Sequence, residues 1–157
     1  MSKQELLDAI EQYRAGLETG LALLRQLSEV AARQNEGSAK RDFNRLAVEG
    51  DERERLTRAL VAIEPGLRAV REIVLQHHEE AKALPDYEHI LALREAAAAL
   101  VNGILKTDEA SMRALSDAEL ARRAAATSLE QGETTLAAYR RVLTPAVGSA
   151  SLLDIRG

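Results

Sequence analysis

Along the first part of the chain, apolar residues recur at alternating steps of four and three. This seam consists of Leu6, Ile10, Tyr13, Leu17, Gly20, Leu24, Leu27 and Ala31. Such spacing is typical of amphipathic helices that pack nearly parallel through interlocking side chains. The pattern predicts a helix over about residues 3–34. Because one helix cannot bury its own apolar stripe, the pattern also predicts partner helices of similar length.

A second seam with the same spacing predicts another long helix, over about residues 51–84. Its members are Leu56, Leu60, Ile63, Leu67, Val70, Val74, His77, Ala81 and Leu84. Pro65 lies inside this run, where it removes one backbone hydrogen bond and clashes with the preceding turn. The register of the seam is nevertheless unbroken, so we expect a kinked but continuous helix.

The residues between the two seams contain several signals for helix ends. Gly37 is suited to a left-handed cap that would end the first helix. A short helix is then expected over about residues 39–49. Asp51 and Glu54 have the spacing of a capping box, which predicts that the second long helix starts at Asp51. In the first seam, Gly20 is compatible either with a close approach of a partner backbone or with a tolerated defect.

The last two segments differ in how strongly apolar they are. Ile90, Leu93, Ala97, Leu100 and Ile104 continue the seam and predict a helix over about residues 86–115. Ala96 to Ala99 forms a narrow stretch where another helix can approach closely. Ser116 to Glu119 reads as a capping box, so a further helix is expected over about residues 117–143. The first half of that helix is rich in Ala, Arg and Thr, and we expect it to be the least firmly packed.

Composition agrees with an all-α fold. Leu and Ala dominate the 46% of hydrophobic residues, and aromatic residues make up 3% of the chain. These are residues that favour helices over sheets. The prediction is therefore one domain over residues 1–143, built of long antiparallel helices in a coiled-coil-like bundle, followed by a flexible tail over residues 144–157.

Charge and candidate chemistry limit the function. The net charge of −4 and the isolated basic pairs argue against nucleic-acid binding. No apolar run is long enough for a bilayer and no signal peptide is evident, so we expect a cytoplasmic protein. His77 and Glu80 form one helical pair with metal-ligand spacing, and no second pair matches it. With no cysteine and no phosphate-binding loop, we expect no enzyme, no cofactor and no metal.

The order of features resembles the flagellar export chaperones of the FlgN-like class, together with their FliT-like relatives. Four stretches carry the resemblance: Leu17 to Leu27, Phe43 to Asp51, Leu100 to Asp108, and Ser151 to Gly157. The last is similar to a short family tail in which a tyrosine is commoner at the position of Leu153. The resemblance covers nearly the whole chain, and each of its motifs is low in specificity.

The resemblance implies a chaperone that binds the C-terminal helical region of a hook-associated protein and delivers it to the export gate. An amphipathic helix that its own bundle only half covers can pair with a helix of such a client. The expected partner-binding residues are Leu129, Leu136, Tyr139, Leu143, Leu152, Leu153 and Ile155. Two alternatives stay open: a structural coiled-coil protein that self-associates into a homo-oligomer, and a helical adaptor or regulatory domain with another client.

Overall fold

A computed structural model describes residues 1–143 of the chain. Of these residues 93% are helical, and none of the described residues lies in a strand. The helices are α1 (Lys3–Lys40), α2 (Phe43–Gln76), α3 (His78–Lys82) and α4 (Tyr87–Leu143). The predicted all-α fold is confirmed. Residues 144–157, and with them the expected flexible tail, lie outside the described residues.

Helix α1 is longer than its sequence predicts. It begins at a capping box, in which the Ser2 hydroxyl accepts a hydrogen bond from the Glu5 backbone N–H at 3.1 Å. It ends only at Lys40, and Arg41 adopts the left-handed conformation with φ of 55°. The predicted end near residue 34 with Gly37 as the cap is therefore wrong. Gly37 is buried within the helix, and a Cβ atom there would lie 3.4 Å from the side chain of Leu46 in α2.

Helix α2 is continuous where two helices were predicted. Asp42 caps it, because its carboxylate accepts a hydrogen bond from the Arg45 backbone N–H at 3.1 Å. The helix then runs through Gly50 to Gln76, so the short helix over 39–49 and the start at Asp51 are wrong. Glycine costs only about 1 kcal/mol in a helix interior, which a long packed helix tolerates. Pro65 lies inside α2, which confirms continuity there; the kink stays a prediction.

The predicted helix over residues 51–84 ends early. The backbone N–H of His77 still donates to the carbonyl of Ile73, but His77 is no longer helical. The five-residue helix α3 follows and buries Ala81 completely. The chain then turns at Pro85, and Ile90 donates the first backbone hydrogen bond of α4 back to Asp86 at 3.1 Å.

Helix α4 passes through the capping-box sequence at Ser116 without a break. The predicted restart at residue 117 is wrong, and the Glu119 carboxylate pairs forward along the helix. It accepts hydrogen bonds from the side chains of Arg122 and Arg123, three and four residues further along the helix. A glutamate held in this way stabilises a helix interior. The local signal that suggested a helix start is thus used inside a continuous helix.

The chain divides into two compact units, Met1–Leu115 and Ser116–Gly157. The division falls within the residues predicted as one bundle over 1–143. In the first unit, α1 and α2 are antiparallel, because Gly16 lies opposite Leu67 and Gly37 lies opposite Leu46. Buried apolar residues of the four helices form two clusters. The most fully buried of them, each at most 1% exposed, are Ile10, Val30, Ala31, Leu56, Ala81 and Ile90.

A polar bridge also ties together the three long helices of the first unit. Arg53 of α2 donates two hydrogen bonds to the Asp108 carboxylate of α4, at 2.6 and 2.7 Å. It donates a third to the side-chain oxygen of Gln34 in α1 at 2.8 Å. The hydrogen bonds to Asp108 and its negative charge raise the pKa of Arg53. A two-pronged pairing fixes orientation as well as adding energy, so the bridge sets how α2 and α4 meet over α1.

Candidate partner-binding surface

The most exposed leucines of the described chain lie in the second unit. Leu129 is 72% exposed and Leu136 is 69% exposed. They are seven residues apart in α4, or about two helical turns, so they lie on the same side of the helix. We call Leu129 and Leu136 the exposed leucine pair.

No described side chain of the second unit is buried. Leu120 is also 58% exposed, but it precedes Leu129 by nine residues, or about two and a half turns, so it lies on the opposite side of the helix. Burying a leucine contributes roughly 1.5–3 kcal/mol, and the exposed leucine pair gains little of this within the chain. The pair is therefore apolar surface that a partner can still cover.

Charged side chains surround the exposed leucine pair unevenly. Before it, Glu119 is paired with Arg122 at 2.8 Å and with Arg123 at 3.1 Å. The hydrogen bonds and positive charge of these arginines, Arg122 foremost, lower the pKa of Glu119 to about 2. Beside the pair, Glu130 and Glu133 form no ion pair within the described residues. The stretch between the two leucines therefore carries two negative charges, while arginines precede and follow it in the sequence.

The structure describes two of the seven partner-binding residues that the sequence predicts. Leu129 and Leu136 lie on one helix face, as their spacing indicates. Tyr139 and Leu143 belong to α4, but their side chains lie outside the described part of the structure. The remaining residues also lie outside it: Leu152, Leu153 and Ile155. The binding role of all seven stays a prediction.

Sequence reasoning missed a groove in the first unit, between α2 and α4 with α1 beneath. The groove is open and has a volume of about 420 Å³. Its lining residues are Tyr13, Leu17, Glu64, Leu67, Arg68, Arg71, Arg94, Ala97 and Ala98. The stretch Ala96 to Ala99 was the available signal, because small side chains keep one wall of the groove low. The arginines belong to two different helices, and no sequence pattern brought them together.

The rim of this groove is positively charged. Arg68 donates a hydrogen bond to the carboxylate of Glu64 one turn away, at 2.8 Å, and that hydrogen bond lowers the pKa of Glu64. Arg71 on the α2 wall and Arg94 on the α4 wall are exposed. Neither forms an ion pair with any described residue. Two positive charges over an apolar floor therefore remain available to an acidic partner.

The histidines do not come together. His77 contacts Glu80 at 3.1 Å, His78 packs edge-on against Tyr87 with ring centres 5.8 Å apart, and His89 contacts Glu18. Among residues 1–143, no three His, Cys, Asp or Glu side chains are grouped so that they could hold a metal ion. The one spaced pair, His77 and Glu80, is thus a local contact at the end of the first unit's short helix.

No helix in the described part of the chain is both long and apolar enough to cross a membrane. Compared with known proteins, the chain matches no family model, no curated protein and no solved structure.

Proposed function

We propose that this protein is a cytoplasmic chaperone without enzymatic activity, which binds an amphipathic helix of a client protein. The observation that carries the proposal is the exposed leucine pair: Leu129 and Leu136 are each about 70% exposed on one face of a continuous helix. Apolar positions two turns apart on one helix face are suited to pairing with the apolar stripe of another helix.

The resemblance to FlgN-like chaperones supplies the proposed client. In that case the client is the C-terminal helical region of a hook-associated flagellar protein, and binding prevents its premature assembly before export. The exposed leucine pair supports helix binding in general. The resemblance of Phe43 to Asp51 and of Leu100 to Asp108 to family motifs supports the flagellar client.

The test uses the C-terminal region of a hook-associated protein from the same organism as the client. Changing Leu129 and Leu136 together to Asp is expected to abolish its binding, measured by isothermal titration calorimetry. The fold should persist, since neither side chain is buried. Leu120→Asp is the control: it places one negative charge at an exposed leucine on the opposite side of α4 and should leave binding unchanged.

Two results would end this proposal. Unchanged client binding by the Leu129/Leu136 variant would show that the exposed leucine pair is not the binding surface. Loss of helicity in that variant would favour the alternative, in which this stretch serves a structural coiled coil. Circular dichroism on the same sample separates loss of fold from loss of binding.

A further inference from the structure

We propose that the groove between α2 and α4 binds residues 124–138 of α4 from a second copy of this chain, and that two copies exchange these segments. This inference goes beyond client binding, because it assigns a partner to the groove of the first unit. The groove belongs to the first unit and carries positive charge, whereas residues 124–138 belong to the second unit and carry negative charge. Each can therefore be changed without touching the other.

The groove has the properties of a site for an acidic amphipathic helix. Leu67 and Ala97 contribute half-buried apolar side chains to it, over the floor made by Tyr13 and Leu17. Short side chains on the α4 wall allow a helix to come close, since interaxial distances depend on the residues at the contact. Each wall carries one arginine that forms no ion pair within the described residues, Arg71 on α2 and Arg94 on α4.

Residues 124–138 match this groove in both polarity and charge. The segment contains the exposed leucine pair and several alanines, and its charged residues are Glu130 and Glu133 alone. These glutamates follow Leu129 by one and four residues, so both flank the same edge of the apolar face. Because the groove carries an arginine on either wall, this acidic edge meets a positive charge whichever way the helix lies.

Exchange of two segments is needed because one contact is small. Specific interfaces bury on the order of 1,600 Å², whereas a single segment offers only two leucines to one groove. When each copy supplies both a groove and a segment, the two contacts are identical and close a symmetric dimer. Such a dimer also covers the exposed leucine pair until a client competes for it.

The test is a charge swap read out as the mass of the full-length protein by analytical ultracentrifugation. The unaltered protein is expected to sediment as a dimer that dissociates on dilution. Arg71→Glu with Arg94→Glu should raise the dimer dissociation constant at least about tenfold, and Glu130→Arg with Glu133→Arg should do the same. Combining all four changes restores opposite charges across the contact and should bring the dissociation constant back near its original value.

A matched control is available in Arg25→Glu with Arg113→Glu. These two arginines are also exposed and form no ion pair within the described residues, but they do not line the groove. Their reversal changes the net charge by the same amount and should leave the dimer intact. All variants should remain as helical as the original, because every changed side chain is exposed.

Three results would overturn the inference. The first is an unaltered protein that stays monomeric at the highest concentration measured. The second is an Arg71/Arg94 variant that dimerises as tightly as the Arg25/Arg113 control. The third is a variant with all four changes that does not regain the dimer. Client binding by the same variants tests the client proposal separately. Arg71→Glu with Arg94→Glu leaves the exposed leucine pair intact and should still bind the client, whereas Leu129→Asp with Leu136→Asp should lose both interactions.

Discussion

Helix α4 belongs to both units of the molecule, and it buries large apolar side chains in the first unit but none among the described residues of the second. In the first unit, its Ile90, Leu93 and Ile104 are buried against α1 and neighbouring helices. In the second unit, its Leu129 and Leu136 are about 70% exposed. Leucine has the same helix propensity and the same apolar area in both places. What differs is whether other helices cover the face, so helix formation and burial are separate properties here.

This comparison leads to different expectations for the same substitution in the two units. Leu56 is completely buried and packs with Leu27, Val30 and Ile104. Leu56→Ala should lower the free energy of unfolding by about 2–5 kcal/mol, because it removes buried methyl groups and leaves a cavity. Leu129→Ala should change it by no more than about 0.5 kcal/mol. Urea denaturation of the two variants measures both values, and equal losses would contradict the division between the units.

Glycine-to-alanine changes should also affect the two units differently. A Cβ atom on Gly16 would lie 2.7 Å from the Cδ1 atom of Leu67, whereas nothing lies within 4 Å of the corresponding position on Gly132. Gly132→Ala should therefore stabilise its helix by up to about 1 kcal/mol through propensity alone. Gly16→Ala must push aside the end of the half-buried Leu67 side chain, which offsets part of the same gain, so it should stabilise the protein less than Gly132→Ala. Thermal unfolding followed by circular dichroism should show the larger rise in melting temperature for Gly132→Ala, and equal rises would contradict the contact at Gly16.

The smallest expected effect concerns pH and the second unit. The hydrogen bonds and charge of Arg122 and Arg123 lower the pKa of Glu119 from its ordinary 4.5 to about 2. A lowered folded-state pKa means that the pairing stabilises the helix fully above pH 4.5 and is lost as the pH falls through 2. Because the pairing is exposed, the effect on stability should be slight.

Carbon-13 NMR of the Glu119 carboxyl group measures this pKa directly. Arg122→Gln removes the largest cause of the lowered value and should move the midpoint of the titration back toward 4.5. Arg113→Gln, which removes an arginine that does not contact Glu119, should leave the midpoint where it was. A Glu119 that titrates normally in the unaltered protein would show that the pairing does not persist in solution.

Patterns that repeat along a whole helix were better predictors of the fold than signals of a few residues at a helix end. The core-facing side of α1 was largely predictable, and Leu6, Ile10, Tyr13 and Leu17 are buried as their spacing indicates. The seam of α2 was less predictable, because only Leu56 and Val74 of that helix are buried and the other seam residues within α2 are half-buried. Helix ends were less predictable. Gly37, Asp51 and Ser116 each carry a genuine capping signal, but each lies inside a helix whose hydrogen bonds and side-chain contacts continue past it.

Glycine in the first seam illustrates the same point. Gly20 was compatible with close approach or with a tolerated defect, and a Cβ atom there would meet Ile63 at an ordinary 3.7 Å. The shortest contact occurs instead at Gly16, one turn earlier, and it is made by the Leu67 side chain rather than by a backbone. Sequence spacing identifies the face of α1 that meets α2, but the distance between their backbones depends on which side chains interlock.

Local signals are enough to predict the long amphipathic helices of this chain, because the three–four spacing and the Leu- and Ala-rich composition act through periodicity and helix propensity. Packing between helices, in contrast, brings Arg53 to Asp108 and places Arg71 and Arg94 along one groove. Those facts depend on residues far apart in the chain, and their relative positions are set by packing over α1. The same packing covers Leu56 and leaves Leu129 open.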